Sequence, residues 1–400
     1  MMNVSLPEPL SAPQLAILRQ ILYAQKLSRQ QLTTASGYQL LTVTKSVASL
    51  IESGLLIEAG HAASSGGRKA SLLAINPHYR YVLVACVAAS YARVGVIGMD
   101  GSLLESATFQ KDGIVPFQHL TPEELLAEFR RLTERYGRDK ILGAGIGISG
   151  IVRHSEGRII FCPNLLGWND LDVNNFFADP LGIPVYVDTT ARVMTLAEST
   201  FGAGRGIRDM ICVSIGNSVG AGILIDGRLI RGADDAAGEL GHTTVRDDVI
   251  RCTCGNRGCL ESYVTLQTIR NAARRELTRF RGYSILRSAQ NEAAGDIPAE
   301  AIRSAALHGD KISIKLLGDC ADTLGISIAN MVNLFNPRLV LLGGSVIEAF
   351  PELMPDIERT VRLRSLVSNQ QRLLIRSASL GTDSPLIGAG LQVIHKLLGL

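Results

Sequence analysis

The chain has 400 residues, 46% of them hydrophobic and 19% charged, with a formal net charge of +3. This length suits two or three domains, and the composition is that of a globular protein rather than a disordered one. No apolar run approaches the roughly 18 residues of a membrane helix, and the first residues lack the basic start and apolar core of a secretory signal. We therefore expect a cytoplasmic protein with reduced thiols and no membrane partner.

The basic residues are concentrated near the N-terminus. Residues 1–80 contain seven lysines and arginines against three glutamates, so this stretch carries +4 and the rest of the chain −1. Such an asymmetry indicates a small basic module attached to a near-neutral body.

The basic stretch has the pattern of a helix-turn-helix. Residues 14–25 carry apolar residues at helical spacing, and a second helix is predicted to begin after Ser28 and to stop at Gly37. A third helix, opened by Thr42 or Thr44, follows this glycine-centred turn. The segment "LLIEAGHAASSGGRKASLLAIN" then reads as strand, flexible tip and strand, which predicts a wing.

The third helix and the wing carry the predicted DNA contacts. Short hydroxyl donors and a lysine on the outward helix face suit a major groove, and two cations at the wing tip suit phosphates or the minor groove. The predicted DNA-binding residues are Thr44, Lys45, Ser46, Ser49, Arg68 and Lys69. We therefore assign residues 1–77 to a winged helix-turn-helix domain that binds double-stranded DNA. A helical docking domain with an ordinary solvated face is the alternative.

Strands and helices alternate through most of the remaining chain. Buried strands such as "ILGAGIGISGIV" and "PRLVLLGG" run into glycine-rich turns, and a helical stretch occupies roughly residues 262–335. This alternation predicts an α/β body made of two lobes of related construction.

Three of the seven cysteines fall within eight residues, ten positions after a histidine. The predicted metal ligands are His242, Cys252, Cys254 and Cys259. A disulfide is not expected in a reducing cytosol, and Cys-Thr-Cys is one residue short of the redox spacing Cys-x-x-Cys. Three thiolates and one imidazole suit a closed, structural Zn²⁺ site, the alternative being four unrelated buried residues. The other cysteines sit in apolar segments and are interpreted as core residues.

The stretch "AAGELGHTTVRDDVIRCTCGNRGCLESYV" closely resembles the signature of the ROK family (repressors, open reading frames, sugar kinases). The segments "CPNLLGW", "VNLFNPRLVLLGG" and "GTDSPLIGAGLQ" resemble further family landmarks, and the N-terminal module resembles that of NagC/XylR-type transcriptional repressors. The resemblance implies a winged helix-turn-helix followed by an actin/hexokinase-like, ribonuclease H-like body of two lobes. We expect a small lobe at 78–190 and 377–400, and a large lobe at 191–376 with the zinc site and a helical oligomerisation region.

The resemblance also implies a sugar site. Asn164, Glu239, His242 and Glu261 match family positions that face the sugar. Ionised carboxylates accept strongly from hydroxyl groups, so this set suits a polyol. The alternative for the two glutamates is that they orient the metal-binding loop. Trp168 could stack on a sugar face or pack in the core.

The positions that serve phosphoryl transfer in ROK kinases are changed. Where the family's first phosphate loop has an aspartate and two glycines, this chain has Cys86, Ala88 and Ala89. Thr190 stands at the position of the catalytic aspartate, and its hydroxyl cannot act as a base near neutrality. Asp188 lies two positions earlier, which displaces its carboxylate by roughly 6–7 Å along a strand. The sequence therefore predicts no enzymatic activity.

These observations predict a DNA-binding transcriptional repressor of carbohydrate metabolism that responds to a sugar or sugar derivative. A homodimer or homotetramer would match two half-sites of an operator. One alternative is a cytosolic ROK sugar kinase with an appended regulatory module. A further alternative is a module that senses another protein, with DNA binding as its output.

Overall fold

The computed structural model describes residues 6, 9–62, 70–88, 91–109, 120–162, 165–247, 250–280, 282–288 and 297–400. The chain divides into two compact units. The first unit comprises Met1–Phe201 with Asp383–Leu400, and the second comprises Gly202–Thr382.

The first unit begins with three helices and a small sheet. In chain order its elements are α1 (Ala12–Ala24), β1 (Leu27–Ser28), α2 (Arg29–Ser36), α3 (Leu40–Glu52), β2 (Leu56–His61), β3 (Ser71–Ile75), β4 (Tyr81–Val87), β5 (Ala92–Gly98), β6 (Leu103–Phe109), α4 (Pro122–Tyr136), β7 (Ile141–Ile148), β8 (Ile151–Arg153), β9 (Arg158–Phe161), β10 (Leu171–Asp172), α5 (Asp179–Leu181), β11 (Val185–Thr189) and α6 (Thr190–Thr200).

The second unit contains a five-stranded sheet and helices. Its elements are β12 (Met210–Ile215), β13 (Val219–Ile225), β14 (Arg228–Leu229), α7 (Glu261–Val264), α8 (Leu266–Arg279), α9 (Ala299–Leu307), α10 (Lys311–Phe335), β15 (Leu339–Gly343), α11 (Ser345–Ala349), α12 (Leu353–Arg364), α13 (Val367–Gln370) and β16 (Leu374–Ser377). The chain then returns to the first unit with α14 (Ser384–Leu398).

The N-terminal elements follow the predicted helix-turn-helix pattern, with one correction. Ser28 caps α2 in a capping box with Gln31, and Gly37 ends the helix in the left-handed region, as predicted. However, α3 begins at Leu40 rather than at Thr42 or Thr44. Its N-cap Gln39 is extended and makes no side-chain cap, so only backbone bonds define this start. The small sheet has the order β1-β3-β2, while the wing tip with Arg68 and Lys69 lies outside the described residues.

Both units contain a five-stranded sheet of the same topology. The first has the order β11-β7-β4-β5-β6, in which β4, β5 and β6 are antiparallel and β7 and β11 run parallel to β4. The second has the order β14-β13-β12-β15-β16, with the same pattern of directions. The prediction of an α/β body with two lobes of related, ribonuclease H-like construction is confirmed.

The C-terminal helix α14 organises the first unit. It packs on β7 and on α6, and Gly145 of β7 permits this approach because a side chain there would overlap the carbonyl group of Ala389. The lobe boundary expected at residue 190 would therefore separate α6 from the helix that it packs against. In the structure the unit boundary falls after Phe201.

The N-terminal module is also tied to α14. The guanidinium of Arg19 donates to the carbonyl oxygens of Leu398 and Gly399 at 2.7 and 3.1 Å. One hydrophobic cluster continues from the module through β4 and β5 to α14, so the predicted domain boundary at residue 77 crosses a continuous core. Among the described residues, no helix has both the length and the apolar character needed to cross a bilayer.

Candidate metal centre and sugar site

The four predicted metal ligands converge in the second unit. Their ligand atoms all lie within 4.8 Å of one another. His242 Nδ1 is 3.6 Å from Cys252 Sγ, and Cys254 Sγ is 3.8 Å from Cys259 Sγ. Around a tetrahedral Zn²⁺, with Zn–S near 2.3 Å and Zn–N near 2.0–2.1 Å, ligand atoms are separated by about 3.6–3.8 Å. The His242–Cys252 and Cys254–Cys259 separations therefore match those of a tetrahedral metal site.

Backbone bonds of the intervening loop hold the ligands together. Cys252 N donates to Asn256 O at 2.8 Å, and isolated bridges pair Thr244 with Cys259 and Arg251 with Arg257. Gly258 has a φ of +71°, and a side chain there would overlap the carbonyl group of Arg246. The loop is thus a tight knot that depends on glycine at a crowded turn.

The thiols of this knot differ in their proton affinity. Burial and the neighbouring thiols raise the pKa of Cys259 to about 12. For Cys254, burial is outweighed by hydrogen bonds from Asn256 and the neighbouring thiols, and its pKa is lowered. Closely packed thiols resist joint ionisation, whereas a divalent cation stabilises several thiolates at once.

Three predicted sugar-site residues surround the start of β13. Glu239 precedes a 3-10 turn at Leu240–His242, and Gly241 of this turn lies so close to β13 that a side chain would overlap Val219 O. Glu261 Oε2 accepts from Val219 N at 3.1 Å. Val219 therefore contacts both the turn that follows Glu239 and the carboxylate of Glu261.

Glu261 is a partly desolvated carboxylate. Burial raises its pKa, while the Val219 N–H bond and the nearby His242 oppose that shift. One oxygen is engaged by the backbone of β13. This geometry fixes the side chain in one orientation, as a hydrogen-bonding group in a binding site requires.

Two other candidates are placed differently. Asn164 lies outside the described residues. Trp168 is fully buried, donates from Nε1 to Leu120 O at 3.0 Å and stacks on Phe177. Stacking of Trp168 on a sugar is therefore excluded, and the alternative of core packing is correct.

The model of the ROK family matches residues 89–396. The chain belongs to the ROK family. This ROK protein is 29% identical over 394 residues to the xylose repressor of Caldicellulosiruptor bescii, covering 96% of both chains. It is 26% identical to the glucokinase of Thermotoga maritima, covering 76% of this chain and 94% of the kinase.

Solved structures show the same two kinds of relative. A crystal structure of a ROK family transcriptional regulator, a homologue of the Escherichia coli Mlc protein, has a TM-score of 0.78 and 27% identity, with 96% of this chain and 98% of the regulator covered. A ROK glucokinase from Streptomyces griseus, in complex with glucose and AMPPNP, has a TM-score of 0.66 and 25% identity over 78% of this chain. The predicted fold class and the predicted family are therefore confirmed.

The positions expected to have lost kinase chemistry lie in the first unit. Cys86 is buried at the end of β4, and burial raises its pKa to about 11 despite side-chain hydrogen bonds with Tyr91 and Thr190. Ala88 is also buried, whereas Ala89 lies outside the described residues. A thiol in this state is neutral near neutrality and cannot replace a carboxylate.

Asp188, the substitute base considered from the sequence, is engaged by its neighbours. Its Oδ1 is 3.1 Å from Arg192 Nη1 and accepts from Thr189 N at 2.8 Å, and its Oδ2 is 3.7 Å from His154 Nδ1. Asp188 and Arg192 are 0% and 1% exposed. This carboxylate is thus engaged by neighbouring residues within the first unit.

The predicted DNA-contact residues of α3 do not all share one face. Thr44 and Lys45 are exposed and Ser46 is half-buried. Ser49 is exposed, but its Oγ accepts from Gln14 Nε2 of α1 at 3.2 Å. The outward face of α3 also presents Leu41, which the sequence reasoning did not single out.

Sequence reasoning missed two further contributors. The Val219 N–H that orients Glu261 lies in the glycine-rich segment "SIGNSVGAG", to which the sequence analysis assigned no role. Arg192 stands four residues after Asp188, but Asp188 belongs to β11 and Arg192 to α6, so helical spacing does not account for this pair.

Proposed function

We propose that this ROK protein is a sugar-responsive transcriptional repressor that acts in the cytoplasm on a double-stranded DNA operator. The observation that carries the proposal is the extent of similarity. The match to a xylose repressor spans 96% of both chains and so includes the N-terminal module, whereas the match to a glucokinase spans 76% of this chain.

The N-terminal module would bind DNA through α3. Its exposed Thr44 and Lys45, together with the two cations of the wing tip, Arg68 and Lys69, would contact bases and phosphates. A homodimer or homotetramer would place two such modules on the half-sites of an operator.

The effector would be a sugar held by Glu239, His242 and Glu261. The half-buried, backbone-bonded carboxylate of Glu261 supports this assignment, because it can accept from a hydroxyl in a defined direction. Since several full-length relatives are xylose repressors, xylose is the first sugar to test.

Zinc would be held by His242, Cys252, Cys254 and Cys259. The ligand spacing fits a tetrahedral ion, and four protein ligands leave no position for a substrate, so the role is structural. When bound, the ion would cross-link the loop that connects the Glu239 turn to Glu261.

A sugar kinase is the second candidate, because glucokinases are among the relatives of this chain. The buried Cys86 thiol and the ion-paired Asp188 argue against it, since neither can bind magnesium or act as a general base as placed. We therefore expect no phosphoryl transfer.

The test of the repressor function measures DNA and sugar together. Duplexes are selected from a random pool with the full-length protein, and affinity is measured by fluorescence anisotropy with and without xylose, glucose and other aldoses. We expect one sugar to raise the melting temperature and to weaken DNA binding, because a ligand that binds one state shifts the equilibrium toward it.

Two variants make this test specific. Glu261→Gln should lose the sugar response while still binding DNA, and Glu300→Gln on the surface of α9 should behave like the unmodified protein. Failure of the protein to select any duplex would refute the proposal. Sugar-dependent ADP release that Glu239→Ala abolishes would establish the kinase instead.

A further inference from the structure

Helix α3 carries an apolar strip on its exposed face. Leu41 is 66% exposed, and Thr44 and Ala48 are exposed beside it. At 100° per residue these positions lie on one face, opposite the buried Val43 and Leu50. Within the part of the chain that the structure describes, Leu41 is thus a large apolar side chain directed away from the core of its own module.

The polar residues of α3 do not mask this strip. Ser49 is engaged with Gln14 of α1, and Ser46 is half-buried on the flank of the helix. Lys45 is the cation that lies within the strip. The outward surface of α3 therefore presents aliphatic groups, with Leu41 the largest, beside the Thr44 hydroxyl and the charge of Lys45.

Charge favours a nucleic acid as the occupant of this strip. Residues 1–80 carry a net charge of +4, which would attract phosphates. The thymine C5-methyl is the apolar group that the major groove displays, and alanine and threonine methyl groups are side chains that contact it. From position 41 to position 48 a helix rises about 10 Å, which matches roughly three base-pair steps of 3.4 Å.

We propose that Leu41, the Thr44 methyl and Ala48 read thymine methyl groups at A·T pairs in each half-site. This inference rests on the proposed DNA-binding function and names the base pairs that the helix selects. Lys45 supplies the adjacent contact to phosphate or guanine, and the aliphatic strip distinguishes thymine from cytosine through its methyl group.

The experiment removes one methyl group at a time from the DNA. Duplexes selected by the full-length protein are resynthesised with deoxyuridine in place of each thymine in turn, and affinity is measured at fixed salt. Loss of one buried methyl should weaken binding about fourfold. We expect this loss at one or two thymines per half-site and no change at the others.

Two variants assign the effect to α3. Leu41→Ala should bind the all-thymine duplex more weakly and should lose most of its sensitivity to deoxyuridine at the affected position. Leu307→Ala is the matched control, because Leu307 is 61% exposed and lies on α9 in the second unit. Its affinity and its deoxyuridine sensitivity should equal those of the unmodified protein.

The possible failures are distinguishable. If the protein selects no duplex, the proposed DNA-binding function itself fails, and this inference with it. If the protein binds DNA but deoxyuridine changes affinity less than 1.5-fold everywhere, or if Leu41→Ala keeps the full sensitivity, thymine reading is overturned while DNA binding stands. If Leu41→Ala changes only the oligomeric mass, the strip contacts a second copy of the chain and the inference is again overturned.

Discussion

At the scale of single residues, the convergence of His242 with Cys252, Cys254 and Cys259 was predictable because these residues are close in sequence. Three cysteines within eight residues, with a histidine ten positions earlier, can come together through local turns alone. Three thiolates and one imidazole are a ligand set that suits zinc. The partner of Glu261 could not be predicted in this way. Val219 precedes it by 42 positions, and only the folded sheet brings its N–H to the carboxylate.

The proposed zinc site gives the first prediction. Purified protein should contain one zinc per chain by elemental mass spectrometry, and Cys254→Ser should lose most of it because a hydroxyl is a poor zinc ligand. Since metal binding stabilises the folded state, Cys254→Ser and chelator treatment should both lower the melting temperature. The neighbouring substitution Thr253→Ser should leave zinc content unchanged. Full zinc occupancy in Cys254→Ser would contradict the proposed ligand set.

The buried Asp188–Arg192 pair gives the second prediction. Arg192→Met should destabilise the protein by about 3–5 kcal/mol, because it leaves a buried carboxylate without its cation. Arg153→Met removes an exposed ion pair with Glu156 and should cost less than about 1 kcal/mol. Urea unfolding midpoints measure both. Equal midpoints for the two variants would show that Arg192 does not compensate the charge of Asp188.

At the scale of elements, both ends of α2 were predicted because side chains mark them. The start of α3, which no side chain marks, was not predicted. Ser28 and Gly37 mark the ends of α2 by a capping box and a left-handed turn, both readable from residue type. The start of α3 depends on the extended backbone of Gln39, for which the sequence gives no signal. The orientation of Ser49 was equally hidden, because its partner lies 35 residues away.

The capping box of α2 gives the third prediction. Ser28→Ala removes the acceptor for Gln31 N and should destabilise the N-terminal module by about 1 kcal/mol. Gln30→Ala changes an exposed residue in the first turn of the same helix and should have an effect within about 0.5 kcal/mol. Hydrogen exchange of the α2 amides measures the difference. Equal protection in both variants would count against the cap.

Helix α14 gives the fourth prediction, which concerns pH. Burial lowers the pKa of His395 to about 4, and within the described residues its Nε2 has no hydrogen-bond partner. The unfolded chain, with an ordinary pKa near 6.5, then binds more protons than the folded chain between these values. Stability should therefore fall as the pH is lowered from about 6.5 to 4, by at most about 3 kcal/mol from this residue.

The variant His395→Gln isolates this contribution from that of the carboxyl groups. Its stability should decline less steeply with acid than that of the unmodified protein, and the difference between the two curves should appear between pH 6.5 and 4. Urea unfolding at several pH values measures the curves. Parallel curves would mean that the histidine charges freely beside Tyr23 in the folded protein.

At the scale of the whole molecule, the alternation of strands and helices was sufficient to predict two α/β lobes. It was not sufficient to place the N-terminal module. Arg19 and Leu398 are 379 residues apart, and nothing local to either residue indicates that they meet. Long-range packing of this kind is decided by the shape and burial of both surfaces, which a pattern along the chain does not contain.

The shared core gives the fifth prediction. A fragment of residues 1–77 loses the contacts that α1 makes with α14, including both Arg19 bonds. We expect this fragment to be only partly folded at 25 °C, because so small a domain is marginally stable even when its core is complete. Circular dichroism and thermal unfolding measure this. A cooperative transition as high as that of the full chain would show that the module is independent.

The Arg19 bonds to Leu398 and Gly399 also constrain protein engineering. Synthetic gene circuits are often built by exchanging the N-terminal module between two regulators. In such a chimaera, Arg19 would lie against the end of a C-terminal helix from another protein, which need not present backbone carbonyls to it. A working chimaera would need the matching C-terminal helix to be transferred together with the N-terminal module, although the two segments lie at opposite ends of the gene.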